Sequence, residues 1–197
     1  MFFSRGFTIM ELSIVISIFA ILSAVVLFNS GAFSSKVAFE NLASDIAINI
    51  LQAQKEAMSG KFNSLSFGIN PPSYGMHFDS TLGNNQKFTY FADLPLTRDM
   101  AYNSGIGCSA NAECLNEINI QTGEFISSLC VNKKSNNSLC GISSFDIVFT
   151  RPLPQPIISS LGVVMNNVLD AEIEITSLKT NDKKTIIVWR TGQISVE

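Results

Sequence analysis

The feature that most constrains this chain is an apolar stretch close to its start. From Phe7 to Phe28 there are 22 residues, and only five are polar: Thr8, Glu11, Ser13, Ser17 and Ser23. As an α-helix, a stretch of this length extends about 33 Å, enough to cross a hydrocarbon core of about 30 Å. The sequence therefore predicts a membrane-spanning helix. The rest of the chain has an ordinary globular composition and the length of one domain.

The overall charge of the chain argues against nucleic acid as a partner. Of the 197 residues 15% are charged, and the formal net charge is −3. Binding to nucleic acid phosphates normally needs a basic surface, so no nucleic acid partner is expected.

The apolar stretch contains one carboxylate, Glu11, whose burial in a membrane would cost about 2 to 3.5 kcal/mol near the helix centre. No Lys, Arg or His lies between Gly6 and Lys36. A charged partner would therefore come from outside the helix, or from a new amine made by cleavage after Gly6. Ordinary signal-peptide cleavage after Ala32 is the alternative, but the long apolar core and its carboxylate fit that type of signal poorly.

Residues 5–12, RGFTIMEL, together with the apolar run that follows, resemble the processing site of type IV prepilins and type II secretion pseudopilins. The resemblance implies that a membrane-embedded prepilin peptidase removes leader residues 1–6 by cutting between Gly6 and Phe7. It also implies N-methylation of Phe7. Glu11 would then be the carboxylate used in processing and assembly.

Beyond the apolar stretch, apolar residues recur at helical spacing up to Met58: Phe39, Leu42, Ala43, Ile46, Ile50, Ala53 and Ala57. This pattern predicts an amphipathic helix that ends at Ser59–Gly60. The predicted fold class is α+β and pilin-like: a long N-terminal α-helix, with a membrane half and an amphipathic half, packed on an antiparallel β-sheet head. The predicted segments are a leader at 1–6, a transmembrane and assembly helix at 7–30, an amphipathic half at 31–59 and an exported β-rich head at 60–197.

Strand and turn signals follow Gly60 and predict eight or nine short strands. They fall at residues 65–69, 74–78, 88–91, 118–121, 125–131, 145–150, 171–177, 185–190 and 194–196. The turn at 122–124 predicts a hairpin between its two flanking strands, and a cluster of prolines follows residue 150. Residues 52–57, 147–152 and 188–194 resemble H-type minor pseudopilins more closely, which implies a head of two antiparallel sheets beside the helix.

Four cysteines lie after the apolar stretch, and an even number in an exported domain predicts disulfides. Three pairings are possible. The sequential one, Cys108 with Cys114 and Cys130 with Cys140, closes short loops and would contribute roughly 2 to 3 kcal/mol for each loop. A zinc site is the weaker alternative, because there is no C-x-x-C motif and His77 is the only histidine.

Catalytic signals are poor. His77 stands without a recognisable nucleophile, and residues 105–110 match a dinucleotide fingerprint only by their letters. Asp170, Glu172 and Glu174 alternate along one strand, which predicts a solvated polar face rather than a cation site. No enzyme activity, catalytic residue, metal or cofactor is therefore expected.

The sequence predicts a structural protein: a minor subunit of a type IV pilus-like filament or type II secretion pseudopilus. Expected partners are other pilins or pseudopilins of the same filament, prepilin peptidase, the inner-membrane assembly platform and membrane lipid. The predicted location is the inner membrane, in a single pass, with the head outside the cytoplasm. Two alternatives remain: an adhesin-like β-sandwich binding domain, secreted or membrane-anchored, and a competence minor pilin that binds DNA.

Overall fold

The structure is a computed structural model that describes residues 8–62, 70–94, 98–103, 108, 113–120, 123–135 and 137–197, with the backbone alone at 26 and 28–32. The chain divides into two compact units, Met1–Ala38 and Phe39–Glu197. Helix α1 comprises Ile9–Ser59, 51 residues.

Within the second unit, α1 buries one face. The apolar residues predicted for this face are buried at Phe39, Ala43, Ile46, Ile50, Ala53 and Ala57, and Leu42 packs partly buried against them. The helix ends as predicted at Ser59. Gly60 follows with a φ of +65° and donates its N–H to the Ala57 carbonyl at 3.1 Å. A glycine in this left-handed conformation commonly ends a helix because it has no Cβ to clash.

The described residues form eleven strands after the helix. They are β1 (Ser73–Asp79), β2 (Lys87–Asp93), β3 (Cys114–Asn119), β4 (Glu124–Val131), β5 (Leu139–Cys140), β6 (Ser144–Thr150), β7 (Leu153–Ser160), β8 (Val163–Val164), β9 (Asp170–Ser177), β10 (Lys183–Trp189) and β11 (Ile194–Val196). The first sheet has the order β3-β2-β1-β6-β7-β8, and the second has the order β11-β10-β9-β4-β5. All described pairings are antiparallel.

One apolar core holds the helix and both sheets of the second unit together. Side chains from both sheets, including Phe78, Phe145, Ile173 and Ile186, are fully buried in the same cluster as the apolar face of α1. In this arrangement the apolar face of the helix and one face of each sheet bury one another.

The predicted membrane half of the helix is corrected by the structure. Within the residues described, no helix combines the length and the apolar character that crossing a membrane requires. Glu11, Ser13, Ser17 and Ser23 lie among the apolar residues of this part of α1. A spanning helix needs about 20 predominantly apolar residues. The predicted single pass and inner-membrane location are therefore wrong by this finding.

The predicted α+β, pilin-like fold class is also wrong. The chain is mainly β, with two antiparallel sheets of six and five strands where periodicity predicts one sheet. One reason for the higher strand content is the proline cluster. The sequence places this cluster in a loop after a strand, whereas Pro154 and Pro156 lie within β7. Pro154 and Pro156 are tolerated because β8 pairs only with Ser159 and Ser160, so the proline end of β7 is an outer edge.

The predicted hairpin around residues 122–124 is a second error. β3 pairs with β2, whereas β4 pairs with β9, so the chain passes from one sheet to the other at this point. Gly123 adopts a φ of +89° there. The predicted strand at residues 65–69 lies outside the described residues.

Candidate functional site

The residues predicted for processing lie at the start of the chain. Gly6 and Phe7 fall outside the described residues, and Glu11 lies in the first turn of α1. Oε2 of Glu11 accepts hydrogen bonds from the backbone N–H of Thr8 at 3.0 Å and from its hydroxyl at 2.9 Å. The backbone N–H of Glu11 in turn donates to the Thr8 hydroxyl at 3.2 Å. This reciprocal pattern is a capping box, in which residues three apart satisfy otherwise unpaired backbone donors.

The capping box changes the interpretation of Glu11. Sequence reasoning sought a charged partner for this carboxylate, whereas the structure supplies a polar one from Thr8. A Thr followed three residues later by Glu, before an apolar run, is a recognised start signal for a helix. Residues 8–11 carry this signal in the sequence. Both bonds from Thr8 end on Oε2, which leaves Oε1 available to a second donor.

The first unit exposes its apolar side chains. From Thr8 to Val25 no side chain is buried, and the exposed fractions reach 88% at Ile9 and 66% at Phe19. The other large apolar residues exposed along this segment are Met10, Leu12, Ile14, Val15, Ile16, Ile18, Ile21, Leu22 and Val25. An apolar surface of this extent is typical of a helix that packs against other molecules.

The cysteines form the sequential pairs. Cys108 is bonded to Cys114, and Cys130 to Cys140, with Cα separations of 4.6 and 4.1 Å. Cys130 and Cys140 lie opposite each other where β4 pairs with β5. The second disulfide therefore closes the loop between these strands. Within the described ranges, no group of three His, Cys, Asp or Glu residues is placed to hold a metal ion.

His77 has a partner that its sequence neighbours do not reveal. It lies on β1 directly opposite Asp146 on β6, and its Nδ1 is 2.6 Å from Oδ1 of this buried carboxylate. The ring of Tyr102 packs on the imidazole with ring centroids 4.9 Å apart. These three residues line a cavity of about 670 Å³ on the first sheet, together with Lys87, Asn103 and Glu117.

The His77–Asp146 pair orients the imidazole but does not complete a catalytic triad. A carboxylate on Nδ1 fixes the ring and its tautomer. The hydroxyl oxygen of Ser159 lies 3.4 Å from the other carboxylate oxygen of Asp146, Oδ2. In a nucleophilic triad the serine contacts the histidine, so this order does not provide an activated nucleophile. The described residues thus place an oriented imidazole in a cavity whose lining is largely polar.

The predicted solvated face on β9 is wrong for two of its three carboxylates. Asp170 and Glu172 are only 1% and 2% exposed, because β9 lies inside the second sheet and the loop after β4 contacts it. Oδ1 of Asp170 accepts the backbone N–H of Lys133 at 2.9 Å, and Oε2 of Glu172 pairs with the Lys133 ammonium at 3.2 Å. Glu174 remains partly exposed. Its hydrogen bond from Lys183, followed by one from Ser127, outweighs burial and lowers its pKa.

A further buried carboxylate lies at the end of β2. Asp93 is fully buried, and no residue in the described part of the chain makes a hydrogen bond of good geometry to either of its carboxylate oxygens. Burial first, and then the charges of Glu113 and Asp99, raise the pKa of Asp93 to about 7, against smaller lowering effects of the Met100 backbone and Arg98. The burial of Asp93 is not predictable from its sequence neighbours, because an Asp at a strand end normally indicates an exposed turn.

Comparison with known proteins adds no assignment to this geometry. The chain matches no protein-family model, no curated protein and no solved structure.

Proposed function

We propose that the chain is a structural subunit, of the minor type, of a pilus-like or pseudopilus filament. Prepilin peptidase would cut it between Gly6 and Phe7, and it would assemble through its N-terminal helix with other pilins or pseudopilins of the same filament. The observation that carries the proposal is the first unit: a capped helix from Ile9 onwards on which no side chain up to Val25 is buried.

The cut site and the helix start fit one another. The proposed cut leaves Phe7 as the new first residue, directly before the Thr8 cap and the helix that begins at Ile9. Cleavage after Ala32 would instead fall inside α1, which continues to Ser59. The helix that assembles would therefore be kept whole only by the first cut.

Helix packing supplies the driving force for assembly, and Glu11 supplies its register. Each buried leucine or isoleucine side chain contributes about 1.5 to 3 kcal/mol. Oε1 of Glu11 would accept a hydrogen bond from the N-methyl amine of Phe7 on a neighbouring subunit while Oε2 keeps the Thr8 cap. Because such an ion pair is little screened in an apolar setting, a subunit shifted along the axis would leave both charges unpaired.

The mature N-terminus is the direct test. Mass spectrometry of the protein from cells that contain a prepilin peptidase should give a chain that starts at N-methylated Phe7. A chain that starts at Phe33 would contradict the proposal. It would support the adhesin-like binding domain instead, which the cavity beside His77 and Asp146 favours.

Substitutions at Glu11 separate its charge from its capping role. Glu11→Gln keeps a residue that completes a capping box, whereas Glu11→Ala removes both cap and charge. We expect both variants to be processed but to enter filaments about tenfold less than wild type, since loss of about 1.4 kcal/mol per contact gives that factor. The measurement is the subunit content of sheared filaments by immunoblot.

Thr8→Ala is the matched control for Glu11. It removes the cap, at a cost of about 1 kcal/mol in helix stability, but keeps the carboxylate. Incorporation of Thr8→Ala should stay near the wild-type level. Normal incorporation of Glu11→Gln would show that the charge sets no register.

A further inference from the structure

Residues 152–169 form a surface without charge, here called the neutral ribbon. The ribbon comprises β7, β8 and their flanks, and it contains no Asp, Glu, Lys, Arg or His although 15% of the chain is charged. Five of its large apolar side chains are exposed: Leu153 at 57%, Leu161 at 79%, Val163 at 67%, Val164 at 39% and Leu169 at 47%. Charged residues normally interrupt a surface of this kind, so the ribbon is a candidate contact surface.

β8 is the last strand of the six-stranded sheet. It joins β7 through a two-residue turn in which Leu161 and Gly162 have φ values of +50° and +76°. Ser160 pairs with Val163, Ser159 pairs with Val164, and the N–H of Met165 donates to the Ile158 carbonyl at 2.8 Å. Since bonding alternates along an antiparallel ladder, the N–H and C=O of Val164 point away from β7.

The two edges of this sheet differ. At the opposite edge, β3 carries Glu117, whose carboxylate pairs with Lys87 on β2 at 3.0 Å. Charged side chains of this kind discourage the addition of another strand. β8 has none. The cavity of about 230 Å³ beside it has a mixed lining, in which Leu153, Val164 and Met165 lie together with Asn166, Asn167 and Arg190. Among the residues that the structure describes, the β8 edge therefore presents outward backbone groups on a strand without a charged side chain.

We propose that β8 pairs with β8 of a second copy of this chain, antiparallel, about a two-fold axis at Val164. A residue whose N–H and C=O both point outward exchanges both bonds with its own symmetry mate in such a pair. Two neutral ribbons also meet without charge repulsion, although the chain as a whole carries a net charge of −3. The interface lies in the second unit, uses no residue of the N-terminal helix and is independent of the proposed filament function.

Site-specific cross-linking of the full chain tests this pairing. In a hydrogen-bonded antiparallel pair, opposite Cα atoms lie about 5.5 Å apart, which a disulfide spans. Val164→Cys should therefore give a covalent dimer on mild oxidation, with both native disulfides intact by mass. Leu82→Cys is the matched control, because Leu82 is 98% exposed and lies outside the ribbon. We expect at least about tenfold less dimer from the control.

A second pair of variants tests the backbone contact. Val164→Pro removes the outward N–H of residue 164 and no bond to β7. In a pair centred on Val164, position 163 lies opposite Met165 of the other copy, so Val163→Lys sets two lysines diagonally across one face of the pair, where like charges repel. Both variants should lower the dimer fraction in light scattering at least about tenfold. Leu82→Lys should leave it unchanged. Three outcomes would overturn the proposal. Cross-linking could be equal at positions 82 and 164, or Val164→Pro could keep the wild-type dimer fraction. Position 164 could also cross-link to a different protein without forming a dimer.

Discussion

Gly192→Ala should lower the free energy of unfolding by about 2 to 4 kcal/mol, one of the two largest effects expected in this chain. Gly192 lies in the turn between β10 and β11 with a φ of +86°, which strains any residue with a Cβ. The site is also closed: a Cβ would overlap the Pro154 carbonyl oxygen and lie 2.6 Å from Nε2 of Gln54.

The contacts at Gly192 explain the size of this effect. Nε2 of Gln54, on α1, donates to the Pro154 carbonyl at 2.9 Å and to the Gly192 carbonyl at 3.0 Å. This side chain thus joins the helix to β7 of the first sheet and to the β10–β11 turn of the second. An added methyl group would displace the amide and leave two carbonyl oxygens without a donor, at a cost beyond the backbone strain.

Gly83→Ala provides the control for backbone strain alone. Gly83 has a φ of +93°, and a Cβ there would meet nothing within 4 Å. Its substitution should cost about 1 kcal/mol. Urea unfolding of wild type and both variants measures the difference. An equal loss in the two variants would mean that the close approach at Gly192 contributes nothing.

Asp93→Asn should raise the free energy of unfolding by about 3 kcal/mol above pH 7 and have little effect near pH 4. The folded protein holds the pKa of Asp93 near 7, whereas the ordinary value is 3.8. Between these values the folded state binds more protons than the unfolded state does. The contribution of Asp93 is thus fully favourable below about pH 4 and is lost as the pH rises through 7. The neutral amide removes this dependence.

Denaturant unfolding of wild type and Asp93→Asn at several pH values from 4 to 8 checks the sign. Other carboxylates act in the opposite direction: hydrogen bonding from Lys183 lowers the pKa of Glu174, so its contribution is lost on acidification. The informative quantity is therefore the difference between the two proteins at each pH. A difference that stays constant from pH 4 to 8 would contradict a raised pKa at Asp93.

Periodicity predicted the elements whose burial follows one simple pattern. The apolar face of α1 from Phe39 to Ala57 and the end of the helix at Ser59 are confirmed, because helical spacing and a terminal glycine act locally. β1, β2, β6, β9 and β10 likewise lie within a few residues of their predicted positions.

Features that depend on pairing between distant strands were not predictable in this way. His77 and Asp146 are 69 residues apart and meet only through the β1–β6 register. Asp170 and Glu172 alternate as a solvated face would, yet the Lys133 loop contacts both. The prolines of β7 argue locally against a strand and are accommodated only because that end of β7 is an outer edge.

The order of strands in the two sheets also determines when the head can form during synthesis. β1 pairs with β6, so that Tyr74 lies opposite Phe149, and β4 pairs with β9, so that Glu124 lies opposite Ser177. Folding slows as contacts join residues more distant in sequence, because loop closure must precede the contacts that stabilise it. Neither sheet can be completed by local hairpins alone. An emerging chain can form the β1–β2 pair early, but β1 gains its second neighbour only when β6 has been made, and β4 gains β9 only near the end of synthesis.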